Sequence, residues 1–413
     1  MKNRLASIDI FRGMTLMLMT LVNNPGDWGN VITPFLHAEW HGCTPTDLVF
    51  PYFLFIVGIT TVLASPEPSF NSDKFLKISV RGLRIFTLGL FLNFFSKIQL
   101  FGLEGYGLLA VRLILVALVY YLLLTKYDLK KQLYAVLSVL SILLFLAYLP
   151  VSGFEEVRIP GVLQRIALVY FVVAILYNKF SLEALGGIAL VLLLGYWAAM
   201  ALIPIDGVAG VFDKDVNVAA AFDRLFLEGH MWSSSKTWDP EGLFSTIPAI
   251  ATGILGVFVG KFLIGEKSKT DKVNYLVFAG IALVALGYFW HKVFPINKAL
   301  WTSSYVVYSA GLASLVLAII YFLVEQLDSK FWTKPFLIFG VNPILIFFFS
   351  GILPRVFSSI KIGSESLQPF VYRNLSTVFT DLKYASLGWA ILYLLFWFLI
   401  LAWFYRKKIF VKV

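Results

Sequence analysis

The sequence predicts an all-α integral membrane protein, a polytopic bundle of about twelve transmembrane helices with both termini in the cytoplasm. Three observations predict it. Of 413 residues, 59% are hydrophobic and 17% aromatic, with a mean hydropathy of +0.82, well beyond a soluble domain of this size. Apolar runs of about 17–25 residues recur along the chain. Lysines and arginines gather on every second connection, the pattern of cytoplasmic loops.

The runs fall at roughly 8–23, 47–64, 76–95, 107–124, 133–150, 161–178, 182–203, 244–264, 274–291, 303–326, 334–353 and 385–405. The first resembles a signal-peptide core, but "NNPGDWGN" follows it without a small-x-small cleavage site, so it reads as a retained helix. Sidedness follows from Lys2/Arg4, Lys74/Lys77, Lys126/Lys130/Lys131, Lys179, Lys267/Lys269/Lys272, Lys330/Lys334 and Arg406/Lys407/Lys408, which mark the inner connections. The net charge of +10 therefore reports orientation, and no nucleic-acid partner is expected. The outer loops at 24–46, 204–243 and 354–384 are too short for independent domains, so residues 1–413 read as a single domain with an outer cap.

One outer segment, Thr33 to Pro51 ("TPFLHAEWHGCTPTDLVFP"), holds two of the four histidines, the sole cysteine Cys43, and Asp47. Loop 24–46 has no lysine or arginine, which places it outside. A lone cysteine excludes an intrachain disulfide. Imidazole titrates near neutrality and can pass a proton at such a site. His37 and His41 are four apart, but Gly42 and Pro45 break any helix that would make them a metal pair with Asp47, so no metal is expected. The bland alternative for both histidines is interfacial packing beside Trp40, and for His41 it is the better reading. "TPTD" makes Thr44 an N-cap, Pro45 the first helical residue and Asp47 the reciprocal acceptor of a capping box. "DPEG" repeats that logic, with Asp239 expected to cap the eighth span.

Ionisable groups within spans turn into the bundle or snorkel. Arg12, Arg81, Arg84 and Lys261 lie on the inner half with Asp9, a one-turn partner for Arg12; Arg112 and Arg165 lie toward the outer half. Asn342, before Pro343, falls inside the eleventh run, where it would line an interior path.

Seven segments in series carry a more specific pattern: "RLASIDIFRGMTLMLMTLVNN", "HAEWHGCTPTDLVFPYFLFIVG", "RIPGVLQRIALVY", "FDRLF", "DPEGLFSTIPAIATGILGVFVG", "INKALWTSSYVVYSAGLA" and "FGVNPILIF". Together they resemble the heparan-α-glucosaminide N-acetyltransferase family of transmembrane acyltransferases, over almost the whole chain. The resemblance implies transfer of an acetyl group from cytosolic acetyl-CoA to an amino sugar or glycan on the extracytoplasmic face of the plasma (inner) membrane. It implies His37 as the catalytic histidine, as general base or acetyl carrier, with Asn23 as its polar partner and Asp47 as the matching aspartate. Arg12, Arg81, Arg84, Lys261 and Asn342 become the expected cofactor-binding set; His41, Trp40, Arg165 and Asp239 the expected acceptor-binding set. A homodimer in contact with membrane lipids is also implied.

Two departures qualify the pattern. An extra hydrophobic pair at about 107–150 interrupts it; without that hairpin about ten spans remain, the number expected of the family's catalytic region. The lysosomal member carries a luminal domain before that region, and the present sequence starts at the catalytic part, so an acceptor other than heparan sulfate is expected. Two other classes compete: a secondary transporter, which twelve spans with both ends inside would suit but which half-to-half symmetry should betray, and a non-catalytic glycan- or lipid-binding membrane protein using Trp28, Trp40, Trp232 and Trp238.

Overall fold

The computed structural model describes residues 5–100, 102–125, 127–149 and 153–411; Lys2, Arg4 and Lys126 of the cation pattern lie outside them. The chain is helical almost throughout. In order it forms α1 (Ala6–Val22), α2 (Val49–Ala64), α3 (Ser72–Phe95), α4 (Gly105–Leu124), α5 (Leu129–Tyr148), α6 (Val162–Lys179), α7 (Leu182–Leu202) and α8 (Val218–Leu227). There follow α9 (Thr246–Ile264), α10 (Lys269–Trp290), α11 (Ser303–Tyr321), α12 (Lys334–Gly340), α13 (Pro343–Ser359), α14 (Leu367–Ser376) and α15 (Leu382–Arg406). The strands β1 (Lys361–Ile362) and β2 (Glu365–Ser366) make one antiparallel hairpin before α14.

Every apolar run falls on a helix, and one falls on two. Among the described residues, nine helices are long and apolar enough to cross a membrane, or ten if the bent pair α12–α13 is one span. Outside that set stand α1, of 17 residues, and α3, which carries Asp73, Lys74, Lys77, Arg81 and Arg84. The eleventh run is not one straight helix: α12 and α13 meet at 81°. The cause is local, since Pro343 has no amide hydrogen to continue α12. Asn342 stands at the break with its side chain fully buried; its Nδ2 donates to Ile409 O (3.1 Å) and its Oδ1 accepts from Val411 N (2.8 Å). The residue expected on an interior path ties the C-terminal tail to the helix break.

Burial separates a central set from a peripheral one. Between 56% and 67% of the spanning windows of α2, α6, α9 and α11 is buried, against 17–28% for α4, α5, α7, α10 and α15. A helix apolar on all sides yet exposed on most of them is one that faces lipid. The hairpin α4–α5 is such an element, with Tyr106, Ile114, Tyr134 and Phe145 all more than 60% exposed. Arg112 anchors α4 by donating to Ser96 O (3.0 Å) and Ile98 O (2.8 Å) at the end of α3.

The central crossing of α2 and α9 needs glycine. A Cβ on Gly58 would stand 1.9 Å from Gly253 O, and one on Gly256 would stand 2.0 Å from Phe55 O. Small residues let backbones approach where apolar area gives no drive between helices in lipid. Gly58→Ala is expected to lower stability by about 1–3 kcal/mol, the usual cost of overpacking a tight core, seen as a lower midpoint of thermal denaturation in detergent. An unchanged midpoint would show that α2 and α9 separate freely.

Candidate active site

Two short 3-10 turns shape the histidine loop, Thr33–Phe35 and Pro45–Leu48, the second running straight into α2. The expected capping box forms: Asp47 Oδ2 accepts from Thr44 N and Thr44 Oγ1, both at 3.0 Å. The same oxygen accepts from Ala38 N at 3.0 Å. Its other oxygen, Oδ1, lies 2.6 Å from His37 Nδ1. Capping and chemistry are therefore compatible at Asp47: one oxygen closes the loop and the other orients the imidazole. The carboxylate side chain is 2% exposed and the histidine 47%, so a buried base-orienter supports an accessible ring. Tyr305 of α11 fixes the turn from below by donating to Asp47 O (2.5 Å).

The connection between α10 and α11 brings a lysine to this pair. Lys298 Nζ stands 3.4 Å from both ring nitrogens of His37 and 4.0 Å from Asp47 Oδ1. Burial pulls the Lys298 pKa down, against the upward pull of Glu241 and Asp47. Its neighbour Asn297, fully buried, donates to Trp40 O (2.9 Å) and lies 3.3 Å from His41 Nδ1. Gly42 N donates to Ile296 O (2.8 Å) in the same place, so the histidine loop and the α10–α11 connection are stitched together.

A second charged group adjoins the first. Arg158 holds Asp239 through Nε (2.8 Å) and Nη2 (2.5 Å), and Nη2 also reaches Glu241 (2.5 Å). Both acids are nearly sealed, at 0% and 7% side-chain exposure. Burial raises the Glu241 pKa, but Arg158, Arg165 and Lys298 outweigh it and hold the acid below its usual range. Asp239 does not cap the eighth span: α9 starts at Thr246, and Asp239 Oδ1 instead accepts from Glu241 N (2.8 Å) in a turn. A buried carboxylate facing an arginine gains more there than at an exposed helix end.

Arg165, on α6, is 1% exposed. Its Nη2 donates to Gly242 O (3.0 Å) and to Ser245 Oγ, and its guanidinium lies 5.1 Å from the Trp301 ring centroid. Nε and Nη1 have no partner among the described residues. Close by, Asp223 of α8 accepts from Leu243 N (2.8 Å) and Phe244 N (3.2 Å). Burial raises its pKa from 3.8 to about 6 against these amides and Arg165. The folded protein therefore binds this proton more tightly than the unfolded chain does. Stability from that difference is full below pH 3.8 and is lost as pH rises through about 6. Relative to Asp223→Asn, the wild type is expected to lose about 3 kcal/mol over that window, two pKa units at about 1.4 kcal/mol each. Parallel pH profiles of the two proteins would refute the assignment.

Trp40 is held by the chain itself. Its Nε1 donates to Phe212 O (2.8 Å), and its ring meets Trp238 edge-on at 5.1 Å, with Trp232 beyond at 5.6 Å. His41 packs beside it; burial, with His291, lowers the His41 pKa against a pull from Asp213. His37 and His41 thus have separate partners, the first Asp47 and the second Asn297.

Not every expected site residue joins this cluster. Asn23 is the C-cap of α1 and lines a cavity of about 320 Å³ with Met19, Asn24, Ser350 and Arg355. The intervening loop docks on α14 and α15, with Gly26 N donating to Ser386 O (3.1 Å) and Gln368 Nε2 to Pro25 O (3.0 Å). No hydrogen bond joins Asn23 to His37 among the described residues. The cations of the expected cofactor-binding set are dispersed as well. Arg12 donates to Asp9 (3.3 Å) and to Gly340 O (3.0 Å), Lys261 to Pro66 O (3.0 Å), and Arg81 lies over Tyr170 at 4.7 Å. Arg84 is 8% exposed and its buried Nε has no partner among the described residues.

The fold and the cluster define a class: a polytopic α-helical membrane protein carrying a histidine–aspartate pair, a lysine and a buried arginine–carboxylate group on one face. Comparison with known proteins specifies it. Residues 4–159 match the family described as heparan-alpha-glucosaminide N-acetyltransferase, catalytic, a segment that contains His37, Asp47, Arg84 and Arg158. The heparan-alpha-glucosaminide N-acetyltransferase of Homo sapiens is 30% identical over 363 residues, covering 73% of this chain and 46% of the relative. That of Mus musculus is 28% identical over 360 residues, covering 74% and 47%. The chain belongs to the heparan-α-glucosaminide N-acetyltransferase family, and it spans about half the length of the curated relatives it matches.

Lys298, Asn297, Arg158, Glu241 and Asp223 did not emerge as site residues from the sequence. The signal was present but undirected: all lie in or beside the segments "INKALW", "RIPGVLQR", "DPEG" and "FDRLF". Nothing in local spacing says that these segments meet.

Proposed function

We propose that this protein is a membrane-embedded acetyltransferase that moves an acetyl group from cytosolic acetyl-CoA to an amino sugar or glycan on the extracytoplasmic face of the plasma membrane. In this reading one transmembrane acyltransferase domain spans the bilayer about twelve times, counting α1, α3 and the bent pair, with both termini inside and the His37 loop outside. The observation that carries it is the His37–Asp47 pair at 2.6 Å, on a chain of an N-acetyltransferase family.

The chemistry follows from which nitrogen is free. With Asp47 ionised, Nδ1 carries the proton that the carboxylate accepts, and Nε2 keeps its lone pair. A neutral imidazole so oriented takes a proton from an acceptor ammonium or from the attacking amine. Asp47 stabilises the imidazolium formed, and its three other donors keep it from turning away. The Trp40–Trp238–Trp232 group beside it offers apolar faces to a sugar ring, and Arg165 offers two unmatched donors.

For the donor, a phosphate-rich nucleotide requires unengaged cations. Arg84 fits, having a buried Nε without a partner among the described residues, and Arg81 on the same helix extends the charge. Lys261 is already hydrogen-bonded to the chain, and Asn342 serves the helix break. Purified protein given labelled acetyl-CoA and a panel of amino sugars should pass label to at least one of them. Folded protein that neither binds the donor nor transfers label would end this reading.

A further inference from the structure

Lys298 places a primary amine where an acceptor amine has to stand. Equal distances of 3.4 Å to Nδ1 and Nε2 of His37 put Nζ at the Cε1 side of the ring or above it, rather than in line with one lone pair. Asp47 occupies the direction of Nδ1. An external amine approaching Nε2 therefore enters the space beside this lysine.

We propose that Lys298 is itself an acetylation site of the enzyme, acting as an internal amine acceptor when no sugar is bound. This rests on the acetyltransferase reading of the His37 site. In the step, neutral Nζ attacks the thioester carbonyl carbon. The new C–N bond forms as the C–S bond breaks. The proton leaving nitrogen passes to His37 Nε2 and then to the departing thiolate, so the products are an acetylated Lys298 side chain and free CoA. No further co-reactant is needed.

Two features favour it. Burial pulls the Lys298 pKa down, which enlarges the neutral, nucleophilic fraction of the amine. The side chain is 23% exposed and so not sealed from the acceptor side. The consequence is a self-limiting enzyme. Acetylation removes the lysine charge, and with it the cation that faces Asp47 at 4.0 Å. Donor supplied without acceptor then silences the site by modification, and acceptor protects it by occupying the same space.

The test is peptide mass mapping of the full chain after incubation with trideuterated acetyl-CoA, with and without an acceptor amino sugar. Label is expected on Lys298 ahead of the other lysines. Acceptor should suppress it, and His37→Ala should slow it by about 10²-fold or more, the usual worth of a positioned base. Transfer to sugar with Lys298 unlabelled after acceptor-free incubation would overturn this inference and leave the acetyltransferase reading standing. Equal labelling in His37→Ala would mark solution acetylation and overturn it too. Neither transfer nor label would remove both.

Discussion

The His37→Ala protein is expected to lose acetyl transfer by about 10²–10⁴-fold in kcat, the contribution of a positioned general base, while folding and donor affinity persist. Folding should survive because the ring is 47% exposed and because Asp47 keeps Ala38 N, Thr44 N and Thr44 Oγ1 as donors. Donor affinity should survive because the proposed reading assigns the His37 loop to the acceptor and Arg84, on α3, to the donor. The measurement is label transfer from acetyl-CoA beside donor binding by calorimetry. Transfer at the wild-type rate would remove His37 from the mechanism. Partial rescue by added imidazole would identify the missing part as a base rather than a shape.

The largest stability effect is expected from Arg158→Ala. That change strands Asp239 and Glu241, which are 0% and 7% exposed. Removing one member of a buried ion group costs about 3–5 kcal/mol because the remaining charges have no water to return to. Asp239→Asn with Glu241→Gln in the same protein should recover much of the loss, since neutral amides tolerate burial without a cation. Cys43 supplies the readout. It is the sole cysteine, and burial with the nearby Asp47 pushes its thiol up to about 12, so it reacts slowly until the loop cap around it opens. A thiol-reactive dye should therefore report unfolding of Arg158→Ala at lower temperature than wild type. Coincident curves would mean that the cap does not depend on this group.

Other features were legible because their causes are local. "TPTD" specifies a cap within four residues, and the cap forms. Asp9 and Arg12, one helical turn apart, pair as their spacing says. The same local logic misread Asp239: "DPEG" looks like a helix start, yet Arg158, distant in sequence by 81 residues, takes the carboxylate. It could not show the partners of Asn342 either, since the C-terminal tail that satisfies its amide lies 67 to 69 residues away.

By itself the sequence determined the membrane class, the helical runs, the loop that carries His37 and Asp47, and the family pattern. Hydropathy and capping are properties of contiguous residues, and the cost of burying a backbone in lipid leaves helices as the answer to each run. Only the tertiary structure decided that Lys298 stands beside His37, 261 residues away, that Arg158 seals the acids of the "DPEG" turn, and that Asn23 lies apart from both. Those pairings depend on which helices cross at their glycines and how the connections at their ends are set by that packing, a long-range geometry for which linear spacing carries no periodic signal.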